Sequence, residues 1–245
     1  MMSLGAADLM GQAIVNIEEL RREGEIGFFT NISAGIDASR GNRDRDYYSV
    51  RIRFDNNSED AESFLILQQT ERKSNDIVMD KSKFIHGRYI FIGEDAVHWE
   101  VFAQYSENPF RNYKKRSVLG SGLRFELSKS GRLGAGLLNE EETDLTGKSK
   151  TTERLGFYFH TDFDIAENIS FDPTIYFQPS IENFENDYKA SMILAVDFTV
   201  NENFKIRMQY SSFHDSDPPM PVSYTHLRAH ETRGNLVCRL LLEKK

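Results

Sequence analysis

Residues 153–163 read ERLGFYFHTDF. Leu155, Phe157, Phe159 and Phe163 share one parity, and Arg154, Tyr158, His160 and Asp162 share the other. Successive side chains of a strand point to opposite faces, so a period of two describes a strand with one apolar and one polar side. The same pattern recurs in both directions. Downstream, Ile169, Phe171, Ile175 and Phe177 oppose Ser170, Asp172, Thr174 and Gln178. Next, Met192, Leu194, Val196 and Phe198 oppose Lys189, Ser191, Asp197 and Thr199, and then Phe204, Ile206, Met208 and Tyr210 oppose Lys205, Arg207 and Gln209. Upstream, Phe28, Ile32, Ala34 and Ile36 oppose Asn31, Ser33 and Asp37, while Tyr48, Val50, Ile52 and Phe54 oppose Ser49, Arg51 and Arg53. Val97, Trp99, Val101 and Ala103 oppose His98, Glu100 and Gln104, and Leu119, Leu123, Phe125 and Leu127 oppose Gly120, Gly122, Arg124 and Glu126. With three weaker segments near 62–72, 80–92 and 132–141, the chain reads as eleven strands.

The connections suggest two classes. Those at 93–95, 129–131, 166–168 and 201–203 read as tight turns; those at 39–46, 73–80, 141–152 and 181–187 read as longer and more polar, with 55–61 as an exception. Short turns at one end and longer loops at the other characterise transmembrane β-barrels. Alternation alone does not say which face is inside. An up-and-down barrel of about twelve strands is too wide to fill with side chains, unlike one of about eight. An apolar interior would then be a void, so the expectation is an all-β, antiparallel up-and-down transmembrane barrel with the apolar face on lipid and a wet polar lumen. Bacterial barrels close with an even number of strands, so eleven implies a twelfth.

Bulk properties agree with this class. The 245 residues are 28% charged, and six prolines leave room for long strands. Mean hydropathy is -0.52. No run approaches the 18 apolar residues of a membrane helix. The formal charge is -8, and because residues 222–245 contribute +3 the remainder carries -11. An acidic chain is a poor match for nucleic acid phosphates. The single cysteine, Cys238, excludes a disulfide framework and a thiolate zinc site.

The two ends depart from the pattern. Residues 1–26 read as the remnant of a signal peptide followed by a short periplasmic segment; 27–220 is the expected barrel. Residues 221–245 include VSYTHLRAHETRGNLVCRLLLEKK, which back-translates in one frame to codons like those of a sequencing adapter. The expectation is that this segment is adapter translation and not native, so His226, His230 and Cys238 are not read as metal ligands.

Several motifs carry a family resemblance. They are Val15-Asn16-Ile17-Glu18, the Ser39-Arg40-Gly41-Asn42 loop, RSVLGSGLRF at 116–125, Tyr176-Phe177-Gln178-Pro179 and the Asp217-Pro218-Pro219 loop. Their order and spacing over about 14–220 resemble the salt-induced outer membrane protein family, the domain of unknown function numbered 481. The resemblance implies a Gram-negative outer-membrane barrel of uncharacterised role, with no catalytic or ligand residues to carry over.

No cluster specifies a reaction. His160 and Asp162 share a face with Arg154, yet general acid-base catalysis needs a positioned partner and a pocket. A ladder of charges lining a lumen needs neither, and such charges cross-brace a narrow barrel or tune ion selectivity. The lumen-lining candidates are Arg51, Arg53, His98, Glu100, Arg124, Glu126, Arg154, His160, Asp162, Lys189, Asp197, Lys205 and Arg207. None of His86, His98, His160 and His214 has a serine partner by spacing. Gly120-Ser121-Gly122 and Gly134-Ala135-Gly136 lie inside strands, where glycine permits close approach and a phosphate loop is not expected. The acidic run 140–144 reads as a solvated loop, and Trp99, Tyr105, Phe110, Tyr113, Tyr176, Phe177 and Tyr210 as an aromatic girdle. The expected function is a narrow diffusion pore or an envelope structural component. It is not an enzyme and takes no cofactor; its partners are outer-membrane lipids and, for insertion, the barrel assembly machinery. The rival expectation is a surface-loop binding module on a barrel scaffold.

Overall fold

The computed structural model describes residues 26–93, 96–111, 113–128, 130–201, 204–218 and 235–242. Its strands are β1 (Gly27–Ser39), β2 (Arg45–Asn57), β3 (Ala61–Ser74), β4 (Ile77–Phe91), β5 (Val97–Asn108), β6 (Tyr113–Glu126) and β7 (Arg132–Thr143). There follow β8 (Ser149–His160), β9 (Phe163–Ala166), β10 (Ile169–Pro179), β11 (Tyr188–Asn201), β12 (Phe204–Asp215) and β13 (Asn235–Leu242). All belong to one sheet in which chain order is also spatial order, apart from short β9, which pairs with β10 beside β8. Every ladder is antiparallel, as expected for hairpin-connected strands. All eleven strands expected from the alternation are present, as β1 to β8 and β10 to β12.

The eighth strand is shorter than its pattern suggested. β8 pairs with β10 from Phe157↔Phe177 to Thr174↔His160, and the next partner would be Pro173. The Thr161 amide donates to the Pro173 carbonyl (3.2 Å), but proline has no N–H to return. The ladder breaks there and resumes as β9, leaving Asp162 exposed on the break and outside either strand.

The expected contrast between long loops and tight turns is largely absent. The segment 73–80 is a two-residue turn at Asn75 and Asp76, with φ of 48° and 62°, the primed geometry that matches strand twist. Polar residues here continue the ladder: Glu71 bonds Lys81 across the hairpin (3.0 Å) and Lys73 on its own strand (2.9 Å). The 141–152 connection likewise narrows to 144–148, because Glu140 to Thr143 extend β7.

The sheet is strongly curled. Side chains three sheet positions apart meet across its concave side, as Tyr158 of β8 with Glu100 of β5 (3.3 Å) and Lys189 of β11 with Glu140 of β7 (2.6 Å). β13 pairs with β12, from Phe204↔Leu242 to Ser211↔Asn235. Among the described residues no ladder joins β13 to β1, and β1 shows both faces.

Burial runs opposite to that of a water-soluble core. Arg116, Arg124, Arg154 and Lys189 are among the most buried large side chains, whereas Leu119 and Leu137 are 64% and 59% exposed on the convex face. Charged residues are almost never fully buried unless paired, so their partners decide what this interior is.

The barrel interior as candidate functional site

Two groups of ion pairs and a largely apolar band occupy the concave face. The first group centres on Glu140 of β7. Arg116 of β6 donates to it, Lys189 of β11 approaches to 2.6 Å, and Arg154 Nε of β8 lies at 3.6 Å. Lys189 also reaches Glu142 (3.2 Å) and Asp215 (3.6 Å), and Arg154 reaches Asp187 (2.8 Å). A carboxylate shared by three cations across four strands is a brace: moving any strand outward breaks charge-assisted hydrogen bonds.

The remaining predicted residues sit mostly near the strand ends joined by the 58–60, 92–96, 127–131 and 161–168 connections. Arg53 is bonded to Asp55, with Nε at 2.8 Å, and Arg51 donates to Gln68 (2.9 Å). Arg124 meets Glu126 (2.8 Å), beside His98 (3.8 Å) and Arg132 (3.7 Å). His160 shares a hydrogen bond with Thr174 (2.9 Å) and faces Asp172 (3.5 Å), not Asp162. Arg207 bridges Asp197 (3.1 Å) and Asp172 (3.5 Å). Nearer the middle, Glu100 accepts from Arg88 (3.0 Å) and from the Tyr158 hydroxyl (3.3 Å). The structure thus brings the predicted residues to one face, with two qualifications: Asp162 lies on the break after β8, and the side chain of Lys205 falls outside the described residues.

The interior is not polar throughout. Phe64, Ile66, Phe84, Val118, Leu138, Tyr158, Tyr176 and Ile193 are buried on the inward parity. His86 is packed among Phe64, Phe84 and Phe102, ring centroids 5.7, 6.1 and 5.7 Å away. Tyr176, expected in the outer girdle, instead stands inside against Tyr158 (5.9 Å) because it shares parity with Thr174 and Gln178. Two glycines make room for this band: Gly120 lies under the Phe102 ring and Gly134 under the Tyr158 ring, where a Cβ would collide. That confirms glycine as a spacer within strands.

The sequence reading missed Arg88, Arg116, Arg132, Glu140 and Glu142 as inward groups. Parity would have found them. Arg116 is in step with Val118 and Arg124, and Glu140 with Leu138, once β6 is extended back from Leu119 and β7 through the acidic run first assigned to a loop.

Outside the strands, Asp144 organises the turn to β8. Its carboxylate accepts from the Thr146 hydroxyl (2.6 Å) and the Lys148 amide (2.9 Å). The Thr146 hydroxyl, with the backbone amides of Lys148, Thr146 and Gly147, holds its pKa below the ordinary 3.8.

Comparison with known proteins gives a family. The translocator domain of the autotransporter NalP from Neisseria meningitidis is 9% identical, over 81% of this chain and 86% of that one, with a TM-score of 0.43. The NanC porin is 9% identical over 74% and 87%, with a TM-score of 0.41. The β domain of the Bordetella autotransporter BrkA is 13% identical over 76% and 91%, with a TM-score of 0.32. No curated protein matches the sequence. The family model described as "Protein of unknown function, DUF481" matches residues 32–227, most of the chain and nearly the span over which the motifs suggested kinship, and the chain belongs to that family.

Proposed function

We propose that this protein is an integral outer-membrane β-barrel of a Gram-negative envelope, acting as a structural component or a very narrow pore. The observation that carries the reading is the inverted burial: Leu119, Leu137 and Ile36 are exposed on the convex side while Arg116, Arg124, Arg154 and Lys189 are buried and paired on the concave side. In water such a convex face would be a large exposed apolar patch; on hydrocarbon it is a solvated surface. Outward aromatics add support. Near one end Phe91 stacks on Trp99 (4.8 Å) and meets Tyr89 at a tilt (4.5 Å), with the Trp99 indole donating to Ser121 (2.8 Å), as suits the headgroup level. Insertion of such a barrel calls on the barrel assembly machinery.

The braces and the apolar band favour little or no conduction. The protein, refolded in detergent, should migrate differently on a denaturing gel before and after boiling and resist carbonate extraction from membranes. Its planar-bilayer conductance should be small or zero. Identical migration with carbonate release would defeat the membrane assignment. A large, stable conductance would defeat the narrow interior. Most of the described connections are about five residues or shorter, which gives a surface-loop binding role little recognition area.

A further inference from the structure

The outward side of β4 changes character along its length, presenting in turn Lys81, Lys83, Ile85, Gly87, Tyr89 and Phe91. Phe91 stacks on Trp99 at one headgroup level, and Lys83 and Lys81 stand eight and ten residues before it. A tilted strand crosses the hydrocarbon in about 9–11 residues, so the two lysines reach the opposite headgroup level. Neighbouring strands carry charge beside them. Lys81 bonds Glu71 of β3 (3.0 Å), which Lys73 also holds (2.9 Å), and Lys83 bonds Glu107 of β5 (3.0 Å). Lys115 of β6 is in step with outward Leu119. Among the described residues, the outward arc from β3 to β6 thus sets four ammonium groups against two carboxylates at this end. On one side of the arc Asp46 of β2 is held by Arg40 (2.7 Å). On the other the surface turns acidic, with Glu141 of β7 and Glu153 of β8.

Below the lysines the same strand leaves a hollow. Gly87 is the register partner of Leu65 in β3 and of Ala103 in β5, and Ala103 is that of Leu119 in β6. Two residues with little or no side chain, set between two leucines, floor an outward groove of about 450 Å³ that Phe54, Tyr89 and Val101 also border. Gly120 and Gly134 lie under neighbouring rings, whereas a Cβ on Gly87 would meet only the Leu65 side chain, at 3.8 Å. The described residues therefore leave this space unfilled. At about 3.3 Å per residue, Gly87 lies roughly 13 Å along the strand from Lys83, within reach of a chain hanging from a headgroup at the lysines. The cationic arc and the apolar groove thus fit the two ends of one molecule. Clustered lysines at a membrane surface attract lipids of net negative charge. We propose that this face binds a single anionic phospholipid, its phosphate between Lys81 and Lys83 and one acyl chain over Gly87 and Ala103. The site rests on the outer-membrane reading above and adds a lipid class to it.

The test uses the full chain refolded in nonionic detergent and follows the temperature at which its heat-shifted gel band is lost. Binding to the folded state raises that midpoint with ligand concentration. Phosphatidylglycerol added to the micelles at constant ionic strength should raise it in a dose-dependent way. Phosphatidylcholine with the same acyl chains, and inorganic phosphate, should not. Lys81→Gln with Lys83→Gln should keep the lipid-free midpoint, because Glu71 retains Lys73 and Glu107 retains the Tyr105 hydroxyl (2.6 Å). It should need about fivefold more phosphatidylglycerol for each lysine removed. Gly87→Leu, whose Cβ makes only an ordinary contact, should also keep the lipid-free midpoint and lose the response by filling the groove. Equal responses to the two lipids, an equal response to inorganic phosphate, or an undiminished response in either variant would overturn the proposal. A dimer in lipid-free detergent that Gly87→Leu makes monomeric would give the groove to a second copy and overturn it as well. Failure to form any heat-shifted band overturns the outer-membrane reading and the site together, whereas a folded band without lipid selectivity overturns the site alone. Should one variant not refold, the other decides.

Discussion

The ring of Tyr158 lies across Gly134 of the neighbouring strand, filling the position a Cβ on that glycine would take. From there its hydroxyl reaches Glu100, two strands beyond Gly134. One glycine thus permits the inward aromatic band and its link to an ion pair. Gly134→Ala should destabilise the barrel by about 1–3 kcal/mol, as overpacking does in a filled core. Adding Tyr158→Ala should recover part of that loss, because the methyl then has space. A denaturant-unfolding double-mutant cycle in lipid vesicles measures the coupling; strictly additive effects would show that the ring and the glycine are independent.

Glu140 is shared by Arg116, Lys189 and Arg154, so its replacement removes a carboxylate from three buried cations at once. Glu140→Gln is expected to cost about 3–5 kcal/mol, the range for breaking a buried pair by removing one partner. Lys189→Met should cost less, since both arginines still hold Glu140 and the unbranched methionine fills most of the lysine's volume. Equilibrium unfolding of the two variants checks the order, and a larger loss for Lys189→Met would contradict it.

The sense of the two faces is open to direct test in β8. Phe157 points outward, and Thr152, on the inward parity, lies opposite Glu140 in register. Phe157→Arg should cost about 2–4 kcal/mol in a bilayer, as an arginine near the midplane of a barrel's lipid face does. Thr152→Arg should be much milder, with acidic side chains close by. Vesicle-insertion yield and unfolding free energy report the difference. Equal losses, or the reverse order, would assign the faces the other way.

Asp144 offers a pH-dependent readout outside the membrane-spanning strands. Its pKa is lowered, so the bonds to Thr146 and Lys148 are fully present above the ordinary carboxylate value of 3.8 and are lost as pH falls through the lowered value. The Lys148 amide resonance should titrate with a midpoint under 3.8, and Asp144→Asn should abolish that transition. A midpoint at or above the ordinary value would mean that the turn does not hold the carboxylate.

Much of this architecture was legible from strict alternation. The parity of Phe157 and Phe159 against Arg154 and Tyr158 depends only on the two-residue repeat of an extended chain, so strand existence, antiparallel order and the sorting of faces could be read locally. Local pattern also misled in identifiable places. The polar ends of β3, β4 and β7 looked like loops, because hydropathy registers charge and not the cross-strand partner, such as Lys81 for Glu71, that keeps the ladder going. β8 stops at His160 because Pro173, thirteen residues later, cannot donate to it, and no pattern within β8 announces that.

What an inward side chain meets was decided by register and curvature. The sequence sorted Arg154 and Lys189 to the polar face, but only the curl of the sheet brings both to Glu140, from strands far apart in the chain. Likewise the glycines at 122, 136 and 156 are unremarkable in their own strands. They become a cavity because register aligns them at one level on three adjacent strands while His86 arrives from a fourth. Alternation is a property of neighbouring residues along the backbone, whereas register and curvature arise from hydrogen bonding and packing between strands. The faces therefore followed from sequence, and the partners on them from the tertiary structure.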